Sequence, residues 1–296
     1  MAQRNRFRGY ALAIVSALVF GAMPVLAVVA YAGGAGVTML LFWRFALAAL
    51  VLGPVAWVLA RRGGERPARR AVATGLVMGG VLYAGQAALY FVAVQQGSAA
   101  LAALLLYTYP ALVALGSSLL ARRPPAPMVV VALAVATVGV ALALGPVDGI
   151  RIAAVLTGLG SALVYTLYIL LGARTAAMAG TTTSALVFAS AATTFAVAAG
   201  ATGQLALPPP DARLPIVVIA LVCTVLGVWF FLESMHRIGA TQASLTSTLE
   251  PITSVLLSAV LLQTAMNPLQ WVGAALVVVA AVLGIRSSAA TPVPPE

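Results

Sequence analysis

The stretch Ser16-Ala17-Leu18-Val19-Phe20 returns about 145 residues later as Ser161-Ala162-Leu163-Val164-Tyr165, so the chain repeats itself at the scale of half its length. A second pair of similar stretches lies deeper in each half, Gly97–Pro110 and Gly239–Pro251, and both begin with small residues and end on a proline. An internal duplication of this size predicts two structural repeats. We place these repeats at residues 1–145 and 146–296.

The composition predicts that lipid, rather than water, surrounds most of the chain. Of 296 residues, 62% are apolar and only 7% are charged, whereas soluble domains carry about 25% charged residues. The net charge of +10 arises from sixteen arginines and no lysine. Because these arginines lie almost entirely in short loops between apolar runs, they indicate membrane orientation and predict no nucleic-acid partner.

Several classes of function are disfavoured by what the sequence lacks. The lone Cys223 leaves no intrachain disulfide, and no Cys/His grouping predicts a metal site. No glycine-rich phosphate loop with a lysine is present, which disfavours ATP-driven transport. The apolar runs also lack a His/Asp/Glu cluster or a serine–base grouping, so we expect neither enzyme activity nor a cofactor.

Ten apolar runs approach or reach the length that crosses a bilayer as a helix, about 17 to 25 residues. The two shortest are 128–145 and 268–285. The predicted fold class is therefore an all-α membrane protein with ten transmembrane helices. We number these spans 1 to 10 in chain order: 10–31, 38–60, 71–94, 98–120, 128–145, 152–173, 183–203, 214–234, 241–262 and 268–285.

The arginines fall on one side of this ten-span arrangement. Thirteen lie at the two termini or in the loops after even-numbered spans, against two, Arg151 and Arg213, on the other side. This excess of positive charge predicts that both termini are cytoplasmic. Since each half has five spans, the second repeat is inverted, and an inverted 5+5 repeat can open its centre to either side in turn, which is alternating access. The thirteen are Arg4, Arg6, Arg8, Arg61, Arg62, Arg66, Arg69, Arg70, Arg122, Arg123, Arg174, Arg237 and Arg286.

Glu250 is the most deeply placed charge, about nine residues into span 9 and directly before Pro251. A proline inside a helix frees a backbone carbonyl and kinks the helix. The Glu250 carboxylate is a candidate for binding a substrate amino group or for exchanging a proton. The alternative is a buried, protonated acid that bonds a neighbouring helix. Its equivalent in the first repeat is Tyr109, so the two halves do not share the acid.

Arg44 lies about six residues inside span 2, and two interpretations of it stay open. In one, the guanidinium meets a substrate carboxylate or an acid of the protein. In the other, the side chain extends outward to the bilayer surface, with its apolar stem along Trp43 and Phe45.

Polar and aromatic side chains recur on one face of several predicted spans, as Tyr83, Gln86 and Tyr90 do on span 3. A lipid-facing helix gains nothing from such a face, so it predicts either interhelical hydrogen bonds or the lining of a cavity for a small amphipathic molecule. The candidate substrate-binding residues are Tyr83, Gln86, Tyr90, Tyr107, Tyr109, Ser161, Tyr165, Tyr168, Ser244, Thr248, Glu250 and Arg44, and the candidate helix-breaking or gating prolines are Pro24, Pro110 and Pro251.

The stretch Gln96–Leu104 with Pro110, and its counterpart Gly239–Leu245 with Leu249-Glu250-Pro251, resemble the EamA-type transporters of the drug/metabolite transporter superfamily. Arg44 matches an arginine often found in span 2 of that family. The resemblance implies a bacterial inner-membrane exporter of small metabolites, often amino acids. It also implies a central cavity between spans 1–4 and 6–9, faced by Glu250, Arg44 and the tyrosines of spans 3 and 6, with spans 5 and 10 packed behind. The tyrosine content is similar to that of the aromatic amino acid exporter branch.

These observations together predict a secondary transporter that exports small amphipathic metabolites, above all aromatic or other neutral amino acids, around a midplane cavity. Its partners are a small-molecule substrate and the lipid bilayer, and we expect a monomer or a weak homodimer. Energy comes either from the proton gradient, through Glu250, or from the gradient of the substrate itself. An exporter of drugs or other metabolites, and a channel or receptor, stay as alternatives.

Overall fold

The computed structural model describes residues 2–63, 69–144, 152–172, 180–203 and 205–289, and the regular secondary structure in these ranges is helical throughout. The predicted all-α class is therefore confirmed. The predicted boundary between the repeats, at residues 145 and 146, lies outside the described residues, as do Arg66, Arg151 and Arg174 of the orientation argument.

Each half of the described chain contains seven α-helices and one π-helical segment in the same order. In the first half these are α1 (Ala2–Ala32), α2 (Val37–Gly63), α3 (Arg69–Val77), the π segment Met78–Tyr83, α4 (Ala84–Gln96), α5 (Ala99–Leu106), α6 (Tyr109–Leu120) and α7 (Pro127–Leu144). In the second half they are α8 (Ile152–Gly172), α9 (Gly180–Ala201), α10 (Pro210–Val218), the π segment Ile219–Leu226, α11 (Gly227–Ile238), α12 (Ala240–Ser247), α13 (Leu249–Leu261) and α14 (Pro268–Ala289).

Eight helical runs are long and apolar enough to cross a membrane, and they coincide with predicted spans 1–4 and 6–9. Predicted spans 5 and 10 correspond to α7 and α14, whose apolar parts, Pro127–Ala143 and Pro268–Leu283, are shorter. The chain is thus a multi-pass membrane protein, while the count of ten spans and the cytoplasmic placement of both termini stay predictions.

The backbone irregularities repeat between the halves. The third span of each half contains its π segment, and the fourth span is interrupted, once at Tyr107 and Thr108 and once at Thr248. Each interruption is followed by a proline in the first turn of the next helix, Pro110 in α6 and Pro251 in α13. A proline in this position costs no hydrogen bond, because the first N–H groups of a helix have no intrahelical partner.

The two halves are packed into each other, because each places its first helix against the other half. The first helix of each half packs on the third and fourth spans of the other half, so α1 contacts α11 and α13, and α8 contacts α4, α5 and α6. The two second helices, α2 and α9, pack together, and so do α7 and α14. At the last contact, a Cβ added to Gly273 would lie 2.6 Å from the Gly139 carbonyl oxygen, so the paired glycines let these backbones touch.

The repeated pentapeptide fastens the two halves to each other by equivalent hydrogen bonds. Ser16 Oγ donates to the carbonyl oxygen of Gly227 in α11 at 2.8 Å, and Ser161 Oγ donates to the carbonyl oxygen of Gln86 in α4 at 3.2 Å. Gln86 and Gly227 occupy equivalent positions just after the two π segments. Both serines are fully buried, so the sequence repeat marks a contact between the halves.

Candidate functional site

A cavity of about 300 Å³ lies at the centre of the helices, and predicted spans 1–4 and 6–9 all contribute to its wall. Within the described parts of the chain, the wall contains one cation, one acid, several hydroxyl groups and many aromatic rings. The lining residues are Phe20, Met23, Arg44, Tyr83, Gln86, Ala87, Tyr90, Phe91, Leu106, Tyr107, Tyr109, Tyr165, Tyr168, Thr183, Ser184, Val187, Phe188, Val228, Phe231, Ser244, Ser247 and Glu250.

Arg44 is only 4% exposed, so its guanidinium is buried rather than extended to the bilayer surface. Its Nε donates to Thr224 Oγ1 at 2.9 Å, and Tyr83 lies near the same guanidinium. The rings of Phe45 and Phe91 lie 4.7 and 5.3 Å from the guanidinium carbon. No carboxylate lies within ion-pair distance of Arg44 among the described residues. The charge is therefore solvated by aromatic rings and hydroxyl groups, without a counter-ion.

Glu250 lines the same cavity from the first turn of α13. The hydroxyl of Tyr107 lies beside its carboxyl group and donates its proton to the carbonyl oxygen of Ser247 at 2.5 Å. Tyr107 directly follows α5 and Ser247 is the last residue of α12, so this hydrogen bond joins the two fourth spans where they are interrupted. In the part of the chain that the structure describes, Glu250 has no cationic partner either.

Tyrosine and phenylalanine rings form a continuous row that begins beside Arg44 and ends beside Glu250. Neighbouring ring centroids along the row are 4.8 to 6.0 Å apart, within the range of favourable aromatic contacts. All rings of the row except Phe45 line the cavity, so a molecule there would meet an aromatic wall that also carries Arg44 and Glu250. The row runs in the order Phe45, Tyr83, Tyr168, Tyr165, Tyr109 and Tyr107.

Ten of the twelve predicted substrate-binding residues line this cavity, and Ser161 and Thr248 do not. Ser161 is fully buried between α8 and α4, where its Oγ accepts from Gln86 Nε2 at 3.0 Å. Thr248 lies at the interruption before α13, where its hydroxyl donates to the Leu245 carbonyl oxygen at 2.7 Å. The contacts of both residues in this structure are with the protein itself. Their assignment to substrate binding stays a prediction.

The three predicted prolines differ in their surroundings. Pro110 and Pro251 follow the interruptions of the fourth spans, whereas α1 continues as a helix through the buried Pro24. One turn before Pro24, the Gly21 carbonyl oxygen accepts a hydrogen bond from Ser254 Oγ at 2.8 Å. The gating role of the three prolines stays a prediction.

Several cavity residues were missed by the sequence analysis. Phe20 and Phe231 had a signal, since they occupy the positions equivalent to Tyr165 and Tyr90 in the other repeat. Thr183 and Ser184, near the start of α9, had none beyond their polarity. Thr224, which contacts Arg44 from behind the wall, lies in an otherwise apolar stretch and gave no pattern.

Comparisons with known proteins agree with this architecture. A solved structure described only as "Crystal structure of protein" shares the fold, with a TM-score of 0.66, 19% sequence identity, and coverage of 94% of this chain and 97% of that chain. No curated protein matches the sequence. The model of the EamA-like transporter family, a family of membrane transporters of small molecules, matches residues 7–145 and again residues 152–286. Because these two matches cover nearly the whole sequence, the chain belongs to the EamA-like transporter family.

Proposed function

We propose that the protein is a secondary transporter that exports small zwitterionic metabolites, namely aromatic and other neutral amino acids, across a bacterial inner membrane. The observation that carries the proposal is the pair of opposite charges in one cavity, Arg44 and Glu250, neither of which has an ionic partner among the described residues. A buried charge is costly unless it is paired. An amino acid supplies both missing partners, a carboxylate for Arg44 and an ammonium group for Glu250.

The size and lining of the cavity support the same substrate class. A volume of about 300 Å³ is at the lower end of the range of small-molecule sites, about 300 to 1,000 Å³, which favours an amino acid over a drug-sized molecule. The aromatic rings that share the cavity wall with the two charges suit an aromatic or apolar side chain.

The proposal includes transport by alternating access, which the packing of each half's first helix on the other half supports, and ten spans with both termini cytoplasmic, which the excess of arginine on one side supports. Within the described residues α1 packs on α4, and Tyr31 donates from its hydroxyl to the Phe91 carbonyl oxygen at 3.1 Å. The equivalent pair in the second half, α8 and α11, packs far less closely. In alternating access the two nearly equivalent halves take different arrangements at any one time, so that the cavity opens to one side only. The difference in this contact fits such a state. The transporter works as a monomer or a weak homodimer.

Energy coupling in the proposal uses Glu250. This acid lies where a substrate ammonium group would bind, and a carboxylate that binds either a proton or a cation can link the two fluxes. Flux driven by the substrate gradient alone is the other mode, and the experiment below separates the two.

The test is radiolabelled flux of a panel of amino acids in proteoliposomes containing the purified protein, with and without an imposed pH gradient. We expect exchange of labelled phenylalanine against unlabelled amino acids inside the vesicles, with neutral amino acids competing with one another. Empty liposomes and liposomes with Arg44→Ala protein are the controls. Flux no greater than in empty liposomes for every amino acid would contradict the proposal.

A further inference from the structure

Thr224 is a fully buried residue of the π segment Ile219–Leu226 that touches Arg44 without lining the cavity. Its Oγ1 accepts from Arg44 Nε at 2.9 Å and donates to the Ile219 carbonyl oxygen at 2.8 Å. The hydroxyl thus connects a charged side chain of the first repeat to the backbone of the second.

The direction of both hydrogen bonds follows from the groups involved. An arginine side chain offers only donors, and a hydroxyl group has one proton and two acceptor sites. The Thr224 proton must therefore go to Ile219, which leaves the oxygen as an acceptor for Arg44. Hydrogen bonds in such a chain polarise and strengthen one another.

The acceptor carbonyl depends on the local backbone. Ile219 lies five residues before Thr224, the spacing of a π-helix, and π segments inside α-helices occur frequently at functional sites. The irregular backbone thus has a local effect, since it holds the hydroxyl that faces Arg44.

The anchored Nε leaves the rest of the guanidinium available. Arginine has five N–H donors in a planar fork. One is bound by Thr224 and the Tyr83 hydroxyl lies beside the group, while the rings of Phe45 and Phe91 restrict where the plane can lie. A planar cation fixed through Nε can present its remaining donors to a carboxylate as a fork.

We propose that Thr224 is a positioning residue, which holds Arg44 through Nε so that the free N–H donors of the guanidinium bind the carboxylate of the substrate. The inference rests on the proposed function, because it takes an amino acid as the ligand. Thr224 acts through Arg44 and does not touch the substrate, so its loss weakens recognition of one chemical group only.

The experiment measures equilibrium binding of two ligands to the purified full-length protein: phenylalanine and 2-phenylethylamine, which lacks the carboxylate. The variants are Thr224→Val, which keeps the volume, Thr224→Ala, which avoids any clash of the added methyl group, and Thr224→Ser, which keeps the hydroxyl. The control is Thr166→Val, because Thr166 is also buried and, among the described residues, its hydroxyl bonds only the Ala162 carbonyl oxygen of its own helix.

We expect Thr224→Val and Thr224→Ala to weaken phenylalanine binding about tenfold, the lower end of the effect of one hydrogen bond to a charged group because the lost bond acts through Arg44, with 2-phenylethylamine binding unchanged. Thr224→Ser and Thr166→Val should bind both ligands as the wild type does. Equal weakening for both ligands, or no weakening for either, would overturn the inference while the proposed function stands. A wild-type protein that binds neither ligand would overturn the proposed function, and the inference with it.

Discussion

Replacement of Glu250 by glutamine is the most direct test of the charge pair in the cavity. The two side chains have nearly the same shape, and Tyr107, whose hydroxyl proton goes to the Ser247 carbonyl oxygen, can accept a hydrogen bond from the glutamine amide. The contact between Tyr107 and the Ser247 carbonyl oxygen is also left intact. The substitution therefore removes the negative charge while preserving the local packing.

The expected magnitude follows from the bond that is lost. Since Glu250 has no cationic partner within the described residues, its charge is available to the ammonium group of a substrate. A hydrogen bond to a charged group contributes about 1.5 to 3 kcal/mol, so the dissociation constant of phenylalanine should rise about 10- to 150-fold. The constant for 3-phenylpropionate, which is phenylalanine without its amino group, should not change.

The assay is equilibrium binding of both ligands to purified wild-type, Glu250→Gln and Glu233→Gln proteins. Glu233 is the matched control because its substitution changes the formal charge equally, while its carboxylate pairs with Arg237 at 2.6 Å and lies outside the cavity wall. Our reasoning is refuted if both ligands weaken together in Glu250→Gln, or if Glu233→Gln has the same effect on phenylalanine.

Three further predictions concern coupling and packing. In proteoliposomes, Glu250→Gln should keep amino acid exchange at saturating substrate but lose accumulation driven by a pH gradient, because an amide releases no proton; gradient-driven flux in the variant would exclude coupling through this residue. Ser16→Ala should cost about 0.6 to 1 kcal/mol, and Ser161→Ala should lower the thermal unfolding temperature further, because Ser161 Oγ also accepts from Gln86 Nε2; a silent change at either serine would contradict a role for these bonds. Gly21→Val should cost about 1 to 3 kcal/mol by overpacking, because even a Cβ there would lie 2.6 Å from both the Glu250 carbonyl oxygen and Thr253 Cβ; unchanged unfolding would show that α1 and α13 separate easily.

Much of the architecture could be predicted from the sequence because lipid imposes strong local rules. Long apolar runs gave the helices, and Pro110 and Pro251 indicated the irregular fourth spans. The π segments were not predicted, since they depend on contacts with distant helices. A Cβ on Gly79 would lie 2.5 Å from Val187 Cα, so the backbone of the first π segment lies directly on α9. No local pattern reports such an approach.

The site illustrates the same limit. Periodicity assigns a residue to a face of a helix, but neither its depth nor its partner, so Ser161 and Thr248 belong to polar faces and still lie outside the cavity wall. The sequence left the direction of the Arg44 side chain open, because the residues around Arg44 allow it to point either into the protein or out to the bilayer surface. The group that decides between them, Thr224, is 180 positions away in the chain.

The two repeats share a scaffold but not a chemistry, and this difference has a consequence for transport. Arg44 belongs to the first repeat and Glu250 to the second, where the position equivalent to Glu250 in the first repeat is Tyr109. In the proposed function a zwitterion therefore bridges the two halves, with its carboxylate on one and its ammonium group on the other. A ligand with a single charge is held by one half only. It should bind without promoting exchange, because a ligand shifts a conformational equilibrium only by its difference in affinity for the two states.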